Sequence, residues 1–196
     1  NDATTTPARS EQPLTAPPGF VFEDVVTGLN QGIAFDFAPD NTIYIAEKPG
    51  LVRVFERGSL LTTPFLDIRD EVLNFSDRGL ESIALHPDFP AEPFVYVYFV
   101  FDPYSVGGVA DPDSSTAPPT VVLVRRYTAD AASNFRTALP GSGVTLVGAN
   151  GPGNIGTPVC QDGDTFVADC IPMDMNYHTG GMLKFGHVLN RWVSRP

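Results

Sequence analysis

Basic residues are scarce in this sequence, which has 12 Lys and Arg against 23 Asp and Glu and a formal net charge of −11. The few basic residues are scattered, so no cluster of positive charge is available to follow a phosphate backbone, and nucleic-acid binding is excluded. Anionic lipid headgroups would repel a surface of this sign as well. We therefore expect any substrate to be a neutral or cationic small molecule.

The sequence also lacks an apolar run long enough to cross a bilayer, so no membrane insertion is predicted. Its longest run, Phe94–Phe101, consists of aromatic and β-branched residues and is typical of a buried strand. Residues 1–19 are rich in Thr, Ser, Pro and Gln and contain too few apolar side chains to pack, which predicts a flexible leader. A chain that begins at Asn1 with such a leader indicates a mature exported protein, secreted or periplasmic.

Cysteine is limited to Cys160 and Cys170. Two cysteines alone form neither a metal site nor a redox CxxC motif, which leaves a disulfide or two free thiols. We predict the disulfide, which would restrict the unfolded chain and would require an oxidising compartment. The neighbouring Asp162-Gly163-Asp164 lacks the remaining ligand spacing of an EF-hand, so we predict no metal site within this chain.

Long helices are not expected, because 19 Pro and 18 Gly divide the chain into short elements. Turn residues separate strand-like runs at Phe20–Phe22, Gly32–Phe37, Thr42–Ala46, Leu51–Phe55, Leu80–Leu85, Phe94–Phe101 and Val121–Tyr127. The stretch Ile33–Asp40 matches Ser82–Asp88, about 48 residues later, with Pro-Asp at the turn of both. This repetition predicts an all-β fold, a β-propeller of four-stranded blades, with an immunoglobulin-like sandwich as the alternative.

The predicted partial propeller occupies residues 20–186 and contains roughly two blades and the first strand of a third, at Gly180–Gly186. Residues 187–196 lack the turn that should follow that strand, and their sequence no longer follows the pattern of the repeats. We expect an atypical C-terminal tail there, arising from truncation, from a shifted reading frame or as a natural variant ending.

Three stretches in this chain resemble the PQQ-dependent glucose/sorbosone dehydrogenases, the soluble aldose sugar dehydrogenases. They are Gly32–Val54, then Arg78–Phe89 followed by Val124–Tyr127, and finally Asn176–Gly186, in the order of that family. The resemblance implies a six-bladed β-propeller, of which this chain would be the N-terminal portion.

The resemblance also implies an oxidoreductase that oxidises an aldose or a related alcohol. By its place in the third stretch, His178 would be the general base, taking the proton of the anomeric hydroxyl while hydride passes to PQQ; a polar loop residue is the other interpretation. Asp77 stands where sugar-oxidising members carry Gln, and Arg78 follows it; we predict that both bind the cofactor, with a plain exposed ion pair as the alternative. Glu81 stands where the family pattern has an apolar residue.

PQQ and Ca²⁺ are the cofactors that this resemblance implies, and in the family most of their ligands lie in later blades. We therefore expect no PQQ turnover from this chain alone, whereas a full-length parent would be a quinoprotein sugar dehydrogenase. The alternative function is a non-catalytic extracellular propeller that binds a glycan or a protein partner. Of the other histidines, His86 is expected to hydrogen-bond within its His-Pro-Asp-Phe turn, and His187 receives no role.

Overall fold

The computed structural model describes residues 15–103, 120–155, 159–173 and 179–186. These residues form antiparallel sheets, and helix is almost absent from them: Ala131–Ser133 makes one short 3₁₀ turn. The predicted all-β class is confirmed. The predicted tail at 187–196 and most of the predicted leader lie outside the described residues.

The first sheet has five antiparallel strands. They are β1 (Gly32–Phe37), β2 (Ile43–Glu47), β3 (Leu51–Glu56), β4 (Ser59–Leu60) and β5 (Leu66–Asp67). The order is β1-β2-β3-β4, and β5 also pairs with β3. Tight turns join the longer strands because Asn41 and Gly50 adopt positive φ angles of 66° and 116°.

The second sheet also has five antiparallel strands. They are β6 (Leu80–Leu85), β7 (Phe94–Val100), β8 (Thr120–Thr128), β9 (Val144–Val147) and β12 (Pro172–Met173). The order is β12-β8-β7-β6, with β9 also on β8. A separate hairpin pairs β10 (Gln161–Asp162) with β11 (Thr165–Phe166).

The sequence repeat is visible in the hydrogen-bond register of the two sheets. The pairing of β1 with β2 is irregular between Gly32 and Ala34, and the pairing of β6 with β7 is irregular between Leu80 and Ser82, at the matching repeat positions. The two first strands also contact each other, because the Leu85 N–H donates to Asp36 Oδ2 at 2.8 Å. The two sheets are therefore two copies of one unit, placed side by side.

The main core is formed by both sheets together. The first sheet contributes Tyr44, Val52 and Val54, and the second contributes Val95 and Val97, all with no solvent exposure. The alternation of β-branched and aromatic residues along β3 and β7 places these side chains on the inward face.

Two predicted strands are wrong in detail. Phe20–Phe22 forms no strand and its phenylalanines are exposed; the fourth strand of the first sheet is supplied instead by β4 and β5, which both pair with β3. Residues 180–186, predicted as the first strand of a third repeat, are described but form no strand. The Leu183 N–H donates to a side chain, Ser82 Oγ of β6, and not to a strand carbonyl.

Candidate functional site

The candidate site is built around the turn that precedes β6. Lys48, in the turn between β2 and β3, lies across Gly79: a Cβ atom at Gly79 would meet Lys48 Cγ at 2.5 Å and the Lys48 carbonyl oxygen at 2.8 Å. That carbonyl accepts a hydrogen bond from the Leu80 N–H at 2.8 Å. Only glycine permits this approach, which explains why Gly79 lies in the Arg78-Gly79-Leu80 stretch.

Asp77 and Arg78 lie in this turn, and each of them is hydrogen-bonded to a residue that is far from the turn in sequence. The Arg78 side chain is completely buried, and its Nη2 donates to the carbonyl oxygen of Met173 at 3.1 Å. The Asp77 carbonyl accepts the hydroxyl hydrogen of Thr179 at 2.6 Å. His178 itself lies outside the described residues, but the structure brings both flanks of residues 174–178 to the two residues that were predicted with it.

Beyond Thr179 the chain lies on β6 and β7. The Tyr98 hydroxyl donates to the Thr179 carbonyl at 3.0 Å, and the Leu183 N–H donates to Ser82 Oγ at 2.9 Å. A Cβ atom at Gly181 would come within 3.0 to 3.3 Å of the Tyr98 ring. Gly181 therefore lets the backbone lie flat against the aromatic ring.

The electrostatics of the site are set by Lys48, Glu81 and Asp77. Burial raises the pKa of Glu81, while Lys48 and a hydrogen bond with Thr179 act in the opposite direction. Burial also lowers the pKa of Lys48, opposed by the charges of Glu81 and Asp77. Lys48 Nζ donates to Asn74 Oδ1 at 2.8 Å. The site thus combines two cations, the buried Arg78 and the half-buried Lys48, with the half-buried Glu81 and the exposed Asp77.

Sequence reasoning did not include Lys48 in the site. Its contact with Gly79 joins two parts of the chain that are far apart in sequence, and no local motif marks such a contact. Glu47-Lys48-Pro49-Gly50 lies within the first stretch that carries the family resemblance, and its Pro-Gly pair marks only a turn. Burial of Arg78 was also missed, because its neighbours Asp77 and Gly79 give no apolar pattern.

The structure contains the disulfide between Cys160 and Cys170, whose Cα atoms are 5.5 Å apart. It closes the loop that carries the β10–β11 hairpin. Asp169, inside this loop, accepts hydrogen bonds from the Gly148 and Ala149 N–H groups at 2.6 and 3.0 Å. The loop leads directly into β12 and so to Met173, the residue held by Arg78.

A cleft of about 700 Å³ lies elsewhere. It runs between β1, β6 and residues 182–186, and Phe35, Phe37 and Phe185 line it together with His86. Asp77 and Arg78 do not line it. His86 Nδ1 accepts the Asp88 N–H at 3.2 Å, which confirms its predicted place within the turn.

Two features are absent from the described residues. No three His, Cys, Asp or Glu side chains there are grouped to hold a metal ion. None of the helices in that part of the chain has the length and apolar character that a bilayer crossing requires.

The comparison with protein-family models decides the relationship. The model of the Glucose / Sorbosone dehydrogenase family matches residues 29–133, more than half of the chain. This chain belongs to the glucose/sorbosone dehydrogenase family. The match covers both sheets' long strands and the turn that contains Asp77, Arg78 and Gly79.

Among curated proteins, the chain is similar to two kinds of family relative. It is 29% identical over 109 residues to quinoprotein glucose dehydrogenase B of Acinetobacter calcoaceticus, covering 53% of this chain and 21% of that protein. It is 30% identical over 87 residues to human Hedgehog-interacting protein, covering 41% of this chain and 12% of that protein. The matched region therefore spans about a fifth or less of these relatives.

Solved structures give similar partial matches. A glucose dehydrogenase-type oxidoreductase of Thermus thermophilus matches with 32% identity and a TM-score of 0.42, over 63% of this chain and 29% of that one. The PQQ-bound aldose sugar dehydrogenase of Streptomyces coelicolor matches with 19% identity and a TM-score of 0.48, over 67% of this chain and 35% of that one.

Proposed function

We propose that this chain is part of a PQQ-dependent sugar dehydrogenase in which His178 is the general base. Family membership supports an oxidoreductase of this kind. The observation that carries the proposal to particular residues is the turn before β6, whose Asp77 and Arg78 hold Thr179 and Met173 on either side of residues 174–178. Holding Met173 and Thr179 would limit the positions that His178 can take. A general base needs this restriction, because it must meet the substrate hydroxyl in the correct geometry.

In this proposal the described residues would form one side of a PQQ site. The Lys48 ammonium suits a carboxylate of the quinone. Asp77 and Glu81 would repel the cofactor if both were ionised, and burial of Glu81 lessens this repulsion by raising its pKa. The remaining charge of PQQ, and the Ca²⁺ that accompanies it in this proposal, would be met by residues of a longer protein.

The chemistry assigned to this chain is a proton transfer. His178 would accept the proton of the anomeric hydroxyl through its imidazole, whose pKa lies near neutral pH. PQQ, when bound, supplies the acceptor for the hydride that leaves the same carbon. Asp77 would lie at the wall of the site beside Thr179, and Arg78 would fix the backbone at Met173.

For the architecture, we propose that the two sheets are neighbouring blades of a β-propeller with six blades in the complete protein. The repeated irregularity in β1 and β6 supports this arrangement. So does the outer face of β1, where Ile33, Phe35 and Phe37 are 48%, 64% and 55% exposed. Both faces of a blade in a closed ring are covered, and another blade would cover this one.

For the location, we propose a secreted or periplasmic protein. The disulfide supports an oxidising compartment.

A dye-reduction assay with PQQ and Ca²⁺ tests the proposed function. In a protein extended to family length, His178→Ala should lower the rate of aldose oxidation by about 10²-fold or more, the usual contribution of general-base catalysis. His187→Ala is the matched control and should leave the rate unchanged. Equal rates in the His178→Ala variant and the parent would exclude His178 as the base.

A second function is favoured by one observation, the similarity to Hedgehog-interacting protein. The name of that relative describes a binding protein, and a non-catalytic extracellular propeller that binds a glycan or protein partner is the corresponding proposal here. Glycan or protein binding that survives His178→Ala, in a protein that oxidises no sugar, would favour it over the dehydrogenase.

A further inference from the structure

Glu81 has an unusual environment for a carboxyl group at the beginning of a strand. It follows Leu80 in β6 and is half-buried, and its Oε1 atom is buried with no hydrogen-bond partner among the described residues. Buried polar atoms nearly always have partners, and a buried carboxylate with an unpaired oxygen is particularly costly. The cost falls if the group carries a proton and no charge.

Groups from four elements face this carboxyl. Lys48 comes from the β2–β3 turn, Asp77 from the turn before β6, Tyr98 from β7 and Thr179 from the segment that lies on these strands. The Lys48 ammonium already donates to Asn74, and the Asp77 carboxylate repels a second negative charge. Burial is the strongest influence and raises the pKa of Glu81, which favours the uncharged acid.

The Thr179 hydroxyl has one hydrogen and two possible acceptors. It donates that hydrogen to the Asp77 carbonyl at 2.6 Å, and the Glu81 carboxyl lies close enough to Thr179 for a hydrogen bond between them to lower the pKa of Glu81. An ionised Glu81 can only accept, so it competes with Asp77 for the single hydrogen. A protonated Glu81 can donate to the Thr179 oxygen, and both hydrogen bonds then exist together.

We propose that Glu81 is a proton-dependent positioning residue for the segment Thr179–Leu183. With its proton, Glu81 donates to Thr179 and leaves the Thr179–Asp77 bond intact; when the proton leaves to solvent, the Thr179 hydrogen turns to Glu81 and the segment loses its bond to Asp77. The importance for catalysis rests on the proposed function, because Thr179 directly follows His178 in the chain. Raising the pH therefore loosens one flank of the proposed base.

The Leu183 amide reports on this segment, because its N–H donates to Ser82 Oγ beside Glu81. Hydrogen exchange of that amide, measured by NMR between pH 4 and 7 and divided by the intrinsic rate, should show protection that falls about fivefold as pH rises, the factor for one hydrogen bond of about 1 kcal/mol. Glu81→Gln and Thr179→Val should each remove the pH dependence. Glu92→Gln, which changes an exposed glutamate in the same way, should retain it.

A pH-independent protection of Leu183 in the parent protein, or an unchanged dependence in Glu81→Gln, overturns the proposal. If Glu81→Gln does not fold, the ¹³C carboxyl shift of Glu81 in the parent protein decides: a midpoint above the 4.5 of an ordinary glutamate is expected, and one at or below it contradicts the proposal. Neither measurement needs PQQ or a sugar. The proposal for Glu81 can thus fail while the dehydrogenase function stands. It can also be supported in a protein that proves not to be a dehydrogenase.

Discussion

At the scale of single residues, the candidate site depends on close backbone contacts that only small side chains allow. Gly79 lies under the Lys48 side chain and against its carbonyl, and Gly181 lies against the Tyr98 ring. These contacts bring the β2–β3 turn and the segment after His178 to the start of β6. The size of the side chains at positions 79 and 181 therefore determines whether these parts of the chain can pack together.

Gly79→Ala should lower the free energy of unfolding by about 1–3 kcal/mol, because the added methyl group overlaps both Lys48 Cγ and the rigid Lys48 carbonyl. Urea denaturation at neutral pH measures this change. Gly153→Ala is the matched control, since a Cβ there meets no atom within 4 Å and the φ angle is not positive; it should have little effect. Equal stabilities of the two variants would exclude the packing explanation for Gly79.

Tyr44 is a second residue with a measurable signature. Burial raises its pKa to about 12, outweighing the opposite effect of Arg136, and its hydroxyl donates to the Phe135 carbonyl at 2.6 Å. Because the folded pKa lies above the ordinary 10.0, the stability from this group is complete below pH 10 and is lost as pH rises towards 12. Burial also raises the pKa of Tyr98 and Tyr127. An absorbance titration should therefore show one phenol fewer ionising late in Tyr44→Phe than in the parent, and an equal late amplitude in both proteins would contradict the assignment.

At the scale of elements, the loop after β8 returns to the first sheet and connects the two sheets. Arg136 in this loop donates to Glu56 Oε2 at 2.9 Å and to Asp40 Oδ2 at 2.8 Å. Burial alone would raise the pKa of Asp40, but the hydrogen bonds from Arg136 and Thr42 and the charge of Arg136 together outweigh it, and the pKa is lowered. This cluster holds the turn of the first sheet against the end of the second.

Arg136→Ala should lower the free energy of unfolding by about 1–2 kcal/mol, a value reduced for the exposure of Asp40. Since the folded pKa of Asp40 lies below 3.8, its contribution is present above that pH and is lost as pH falls through the folded value. The difference between variant and parent should therefore shrink in acid. Arg69→Ala, which removes an exposed ion pair with Asp67, should change nothing measurable; a similar loss in both variants contradicts the role given to Arg136.

The longer strands could be predicted from sequence because their residues carry the pattern locally. Phe94–Val100 is a continuous aromatic and β-branched run, and the two Pro-Asp turns mark the repeat. The pair β4 and β5 could not be predicted, since two-residue strands depend on the neighbouring β3 rather than on their own side chains. For the same reason Phe20–Phe22 was wrong: its composition favours a strand, but no described strand pairs with it.

At the scale of the whole molecule, the first strand of the first sheet carries an exposed apolar face. Ile33, Phe35 and Phe37 alternate along β1, so their side chains share one face, and they are about half exposed or more. Sequence alone predicted a partial propeller of roughly two blades. It could not identify this apolar face, because the same residues would be a buried core if another sheet lay against them.

An exposed apolar face of this kind should make the isolated chain self-associate. Sedimentation velocity should show a concentration-dependent coefficient for the chain, reduced in the double variant Phe35→Thr with Phe37→Thr, in which threonine retains β-propensity. Phe166→Thr, which changes a single exposed phenylalanine on the disulfide loop, should behave as the parent. A chain that remains monomeric at all concentrations would contradict the prediction.

Calorimetric titration of PQQ in the presence of Ca²⁺ tests the proposed function most directly. It should be performed on this chain and on a version extended to the length of the family's quinoproteins. We expect the extended protein to bind PQQ and this chain to bind it weakly or not at all, because in our proposal this chain supplies only one side of the cofactor site. Absence of binding in both proteins would contradict the assignment to PQQ-dependent dehydrogenation and would favour the binding propeller.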